Sequence, residues 1–66
     1  MQVLVNGKSR QLHDGMTIAE LVADLGMTGR RIAVEVNLEI VPRSQHTGHA
    51  LHDGDRVEIV QAIGGG

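Results

Sequence analysis

The chain ends on Gly64-Gly65-Gly66, the first place where residue type and spacing suggest chemistry. Residues without side chains have maximal backbone freedom. Extended, three of them reach roughly 10 Å beyond the residue before them. Such a segment can thread a narrow channel in another protein, where any β-carbon would clash. It presents one functional group there, the terminal carboxylate of Gly66. A carboxylate is a poor acyl donor because its oxygen leaves badly. Adenylation supplies a good leaving group, and the acyl-adenylate can then take up a sulfur nucleophile and become a thiocarboxylate. A carrier of this kind needs no acid, base or metal of its own. Terminal glycines are also common as plain unstructured ends, so the weight of the reading comes from what precedes them.

Other chemistry-bearing residues are weaker candidates. His46, His49 and His52 have an H-x2-H-x2-H spacing, and imidazole suits zinc, copper or nickel. A structural zinc site takes four ligands, and no cysteine or placed carboxylate completes this set. The expectation is a polar, partly helical surface loop and no metal. Asp53, Asp55 and Glu58 lack the remaining ligands of a calcium loop; turn geometry explains Asp53-Gly54 better. Gly26 and Gly29 are followed by no lysine in the place a phosphate loop requires. His13 sits alone beside a turn and is expected to be exposed. No histidine is placed near a serine or cysteine nucleophile, so no triad is supported. No catalytic residue is expected, and the chain reads as a carrier rather than an enzyme.

The elements that must display the tail fit in one small domain. The chain has 66 residues, no cysteine and no aromatic residue. A core this small lies near the lower limit for autonomous folding, and no disulfide supports it. It rests on Val, Leu, Ile, Ala and Met. Net charge is −2 with the basic residues spread along the chain, which argues against a nucleic-acid partner. No stretch has the length of a membrane span, and the N-terminus lacks the regions of a signal peptide. The expectation is a cytoplasmic protein with no membrane partner.

Residues 2–12 read as a β-hairpin, with Val3 and Val5 alternating and Asn6-Gly7 favouring a type I′ turn. Asp14-Gly15 is a turn signal. Thr17-Ile18-Ala19-Glu20 has the form of a capping box. Ile18, Leu21, Val22 and Leu25 share one helical face, and Gly26 suits the left-handed residue that closes a helix. The spacing predicts a helix over 17–25. Ile32, Val34 and Val36 alternate in a third strand. A tight turn at Asn37 leads to a short strand, Leu38 to Val41, which Pro42 ends. Residues 43–52 form a polar loop with room for one helical turn, and Leu51 is expected in the core. Asp53-Gly54-Asp55 makes a second turn. The last strand contains Val57, Ile59 and Val60 and runs to about Ile63. Its Val and Ile content on both faces predicts a central strand. The class is α+β: one helix on a mixed sheet of four or five strands, the β-grasp or ubiquitin-like architecture. The domain spans 1–63 and the flexible glycine tail 64–66.

Ala33-Val34-Glu35-Val36-Asn37, Ile40-Val41-Pro42-Arg43, Leu51 through Ile59, and Gln61-Ala62-Ile63-Gly64-Gly65-Gly66 together resemble a known family, the ThiS-type sulfur carriers of thiamine biosynthesis, within the group that includes the molybdopterin-synthase small subunit. The resemblance covers nearly the whole chain. It implies a ubiquitin-activating-like adenylyltransferase (ThiF type) that activates Gly66 with ATP and magnesium, neither of which the carrier holds itself. It implies a sulfur donor system drawing on cysteine. It also implies a thiazole synthase (ThiG type), which uses the sulfur to build the thiazole phosphate from deoxyxylulose phosphate and a glycine-derived imine. The family's terminal Gly-Gly falls on Gly65 and Gly66; Gly64 is extra and adds flexibility.

Alternate residues of the last strand, Val60 and Ala62, are expected to form an apolar patch near the tail. Arg43 and Arg56 are expected to flank it and pair with acidic partner residues. Three other functions fit parts of this pattern. A carrier for molybdopterin or for tRNA thiolation shares the chemistry and differs in the receiving enzyme. A modifier conjugated to lysines would use the same tail. A TGS-like RNA-contacting module shares the Asp53-to-Ile59 turn, but acidic charge and a glycine tail oppose it.

Overall fold

The computed structural model describes residues 1–61. The expected strand end at Ile63, the Ala62 patch residue and the tail Gly64, Gly65 and Gly66 lie outside the described residues. The elements are β1 (Gln2–Val5), β2 (Lys8–Gln11), α1 (Ile18–Asp24), β3 (Ile32–Val36), β4 (Glu39–Val41), a single 3-10 turn (Arg43–Gln45) and β5 (Arg56–Gln61). The sheet order is β2-β1-β5-β3-β4. β1 and β5 run parallel, and the other neighbours are antiparallel. This is the β-grasp arrangement, with the last strand at the centre.

Local chemistry explains most of the element ends. Asn6 and Gly7 both have positive φ, as a two-residue I′ turn requires. Thr17 caps α1, its hydroxyl accepting from the Glu20 amide while the Glu20 carboxylate accepts from the Thr17 amide at 2.9 Å. Gly26, at φ +72°, follows the Leu25 C-cap, a conformation that only residues without a β-carbon adopt cheaply.

The short strand begins at Glu39, not at Leu38, because Val36 pairs with Glu39 and leaves Asn37 and Leu38 as the two turn residues. Both have positive φ, 52° and 72°. Asparagine tolerates this; leucine does not, since its β-carbon crowds the following carbonyl.

The core lies between α1 and one face of the sheet. Ile18, Leu21 and Val22 from the helix meet Val3, Val5, Val34, Val36, Val57 and Ile59 from the strands. Leu51 and Met16 are buried with them. Full burial of one such side chain contributes about 1.5–3 kcal/mol. Among the described residues the opposite sheet face carries no helix. Val57 and Ile59 point into the core, while Val60 stands on the open face, 59% exposed. The last strand is therefore central, as its Val and Ile content predicts, but covered on one face only. Among the described residues no helix is long and apolar enough to cross a membrane.

Two measurements follow. Leu38→Gly relieves about 1 kcal/mol or more of left-handed strain, offset in part by about 0.5 kcal/mol of unfolded-state entropy; urea denaturation should show a net gain in stability. The second concerns Glu20. The Thr17 amide holds its carboxyl below the usual carboxylate range, with the Thr17 hydroxyl and nearby His13 adding to that pull and desolvation opposing it. A depressed folded pKa contributes stability above the unfolded pKa and loses it as pH falls through the folded one. Glu20→Gln should be the less stable protein near neutral pH, and the gap should close on acidification in denaturation curves taken across that range.

Candidate functional site

The site is the end of β5, the strand from which the tail departs. Its register is set from three directions. At its start, Gln2 N–H donates to Asp53 Oδ1 at 2.7 Å, and Leu4 N–H donates to the Asp55 carbonyl at 3.0 Å. Asp55 also accepts from the His52 amide and from Asn37 Nδ2. Asn37 Oδ1 in turn accepts from the Arg56 amide at 3.0 Å. The Asp53-Gly54-Asp55 turn thus joins the beginning of β5 to both β1 and β3.

Further along, β1 stops at Val5, so β5 outruns its parallel neighbour. Asn6 fills the gap. Its Oδ1 accepts from Ile59 N–H at 2.8 Å, and its Nδ2 donates to the Ile59 carbonyl at 3.3 Å. One side-chain amide therefore stands in for a missing strand residue. On the other side β3 pairs with β5 along its length, ending with Ile32 opposite Gln61. Sequence reasoning gave Asn6 only a turn role; the signal for its second role is the shortness of β1 against β5.

The expected partner residues are not all brought together. Arg31, Ile32, Ala33, Arg43 and Val60 line a shallow groove of about 470 Å³ beside the end of β5. The Arg43 guanidinium donates to the Arg30 carbonyl, which keeps that basic group at the tail end of the sheet. Arg56 is elsewhere. It begins β5, beside Asn37, Leu38 and Gly54, at the opposite end of the strand from Val60. Arg31 takes the flanking place expected of Arg56.

The histidines do not form a set. His46 is 7% exposed, not part of a polar surface, and its Nε2 donates to the Val41 carbonyl at 2.9 Å. His52 is exposed and His49 half-buried. Among the described residues no three His, Cys, Asp or Glu side chains converge as metal ligands would. The loop instead supports the helix. Ile18 N–H donates to the His49 carbonyl and Ala19 N–H to the His46 carbonyl, both at 3.1 Å. With Thr17 N–H on the Glu20 carboxylate and Glu20 N–H on the Thr17 hydroxyl, all four amides at this end that lack an intrahelical carbonyl have acceptors. His13 is exposed, 3.9 Å from Glu20.

Among the described residues, one helix on a five-stranded mixed sheet with the final strand central defines a ubiquitin-like, β-grasp protein. Residues 3–66 match the ThiS family, tail included, and the chain belongs to that family. It is 38% identical over 66 residues to the sulfur carrier protein ThiS of Escherichia coli, covering the whole of both chains. It is 47% identical over its full length to a thiazole synthase of Paramagnetospirillum magneticum, but spans only 20% of that protein. The crystal structure of the thiamine biosynthesis protein ThiS from Geobacter metallireducens superposes with a TM-score of 0.85 at 30% identity, over all of both chains.

Asn6→Gly keeps the left-handed backbone and deletes only the amide, leaving both polar groups of Ile59 without that partner. It should cost about 1–2 kcal/mol in denaturation experiments. Hydrogen exchange should quicken at the Ile59 amide, while the core amides of α1 change only with global stability.

Proposed function

We propose that this chain is a sulfur carrier in the synthesis of the thiazole of thiamine. A partner adenylyltransferase activates the Gly66 carboxylate: its oxygen attacks the α-phosphorus of ATP, held with magnesium on that enzyme, and pyrophosphate leaves. A sulfide-equivalent nucleophile from the donor system then attacks the acyl carbon and AMP leaves, giving a thiocarboxylate. A thiazole synthase transfers the sulfur to its substrate, and an oxygen from the displaced substrate group or from water takes its place on the acyl carbon, regenerating the carboxylate. The domain supplies none of this chemistry. It supplies a fixed strand end and a face for partners to grip.

The observation that carries the reading is the position of β5. The strand is central, clamped on one side by β1 and Asn6 and on the other by β3, and the sequence passes from it within two residues to Gly64-Gly65-Gly66. Family membership over residues 3–66 supports it. So does the thiazole synthase of P. magneticum, which contains a stretch similar to the whole chain. Gly65 and Gly66 supply slimness where the tail enters its partner; Gly64 adds reach. Arg43 and Arg31 flank the point of departure and suit acidic groups at a partner's channel mouth.

The mass of the native C-terminus tests this directly. Protein isolated from cells should contain a fraction heavier by about 16 Da, one oxygen exchanged for sulfur on the terminal acyl group. Deleting Gly66 should abolish that fraction and make growth depend on added thiamine. Growth that thiamine does not restore would assign the carrier to a different product, and a ladder of conjugates on a denaturing gel would make it a modifier.

A further inference from the structure

The open face of the sheet contains a pairing that folding does not favour. Glu35 on β3 and Glu58 on β5 are direct cross-strand partners. Each alternates with core residues, Val34 and Val36 on one strand and Val57 and Ile59 on the other. Both carboxylates therefore stand on the face without a helix. Like charges directly opposite each other across two strands oppose the pairing. Among the described residues no ion pair reaches either one.

Toward the tail and toward β4 the surroundings are apolar, while Arg56, two residues before Glu58, shares the open face on the other side without forming an ion pair to either carboxylate. Ile40 is the β4 partner of Glu35, and Ala33 and Val60 form the open-face pair nearer the tail. Ile40 is 69% exposed. Apolar groups left to water beside a self-repelling acidic pair lose on both counts until something covers them. A cover of the right kind is apolar at its rim and cationic at its centre. A cation between two carboxylates gains from both, and gains more once an apolar rim excludes water.

We propose that this face docks on the body of a thiazole synthase, which seats a guanidinium or ammonium group between Glu35 and Glu58 within a rim formed by Ile40, Ala33 and Val60. The proposal deepens the carrier reading and rests on it. Two observations choose the occupant. Glu58 lies on the strand that leads to the tail, three residues before Gln61, so a protein that takes in the tail also lies over this part of the sheet. The thiazole synthase of P. magneticum, in turn, holds a stretch similar to this whole chain within one polypeptide. Linkage of that kind raises the effective concentration of two surfaces that meet.

The test uses Glu35→Gln and Glu58→Gln, singly and together, in the full chain. The thermal midpoint is measured for each. Affinity for the thiazole synthase of the same organism is measured by calorimetry at low and high salt, with the adenylyltransferase run in parallel. The expected result is a midpoint equal to or above wild type, because repulsion is relieved. Binding of the double variant to the synthase should weaken on the order of tenfold, with a smaller salt dependence than wild type. Unchanged synthase affinity in the double variant would overturn the proposal, as would a loss confined to the adenylyltransferase. A fallen midpoint that accounts for the weaker binding would assign the pair to folding instead and also overturn it. Those results leave the carrier reading standing. A synthase that does not bind the wild-type chain at all removes both.

Discussion

The fold turns on how β5 is held. A central strand normally takes its register from a neighbour on each side, but here β1 is too short to serve along the whole length of β5. Asn6 completes that side with one amide that meets both backbone groups of Ile59. An Asn side chain matches the peptide group in donor and acceptor, so it can continue a ladder that the main chain has left. At the other end of β5, Asp55 and Asn37 do comparable work on the Arg56 amide and its neighbours. The position from which the tail departs is therefore set by a few polar groups as much as by the apolar core. The same economy governs α1, a helix of only seven residues. Short helices gain little from propensity alone; this one relies on its buried face and on borrowed carbonyls from the histidine-bearing loop.

How much of this is visible in the sequence follows from the range of each interaction. Asn6-Gly7, Thr17 with Glu20, Gly26 and the alternation of Val34 and Val36 are local signals, and each has its expected place in the structure. The family segments carry the rest of the architecture. What the sequence conceals are contacts between distant positions. Asn6 and Ile59 are 53 residues apart, and nothing near Asn6 indicates that its amide is needed there. His46 looks like a surface residue in a polar run, yet its ring turns inward to a carbonyl that the preceding strand leaves open. Ile59-Val60 reads as an apolar run with no obvious outward side, and only the helix's position decides which of the two faces water. Arg43 and Arg56 look equivalent on paper; the direction of β5 sends them to opposite ends of the sheet. Leu38 reads as the first residue of a strand because nothing in its type announces a left-handed turn.

The two sides of the molecule have different duties. The face under α1 collects the apolar side chains and secures the fold. The other face keeps Ile40 and Val60 in solvent, with like charges side by side between strands. Such a face is costly to leave bare, and its composition makes sense as part of an assembly. The strained turn at Leu38 lies at the far end of this side, away from the tail, which places an unfavourable backbone feature where the departure of β5 does not depend on it.

The parallel pairing of β1 with β5 has a further consequence, in the order of folding. The hairpin and the helix can form from neighbouring residues, but the last strand closes against the first only after nearly the whole chain has been brought together, and loop closure must be met before that contact repays it. The pairing of β1 with β5 is therefore among the contacts of greatest sequence separation in the molecule, the kind that loop-closure entropy delays. On the proposed docking, a partner that grips the sheet face and the tail at once reads a combination that exists only in the folded molecule. An unfolded chain has the same glycines without that surface.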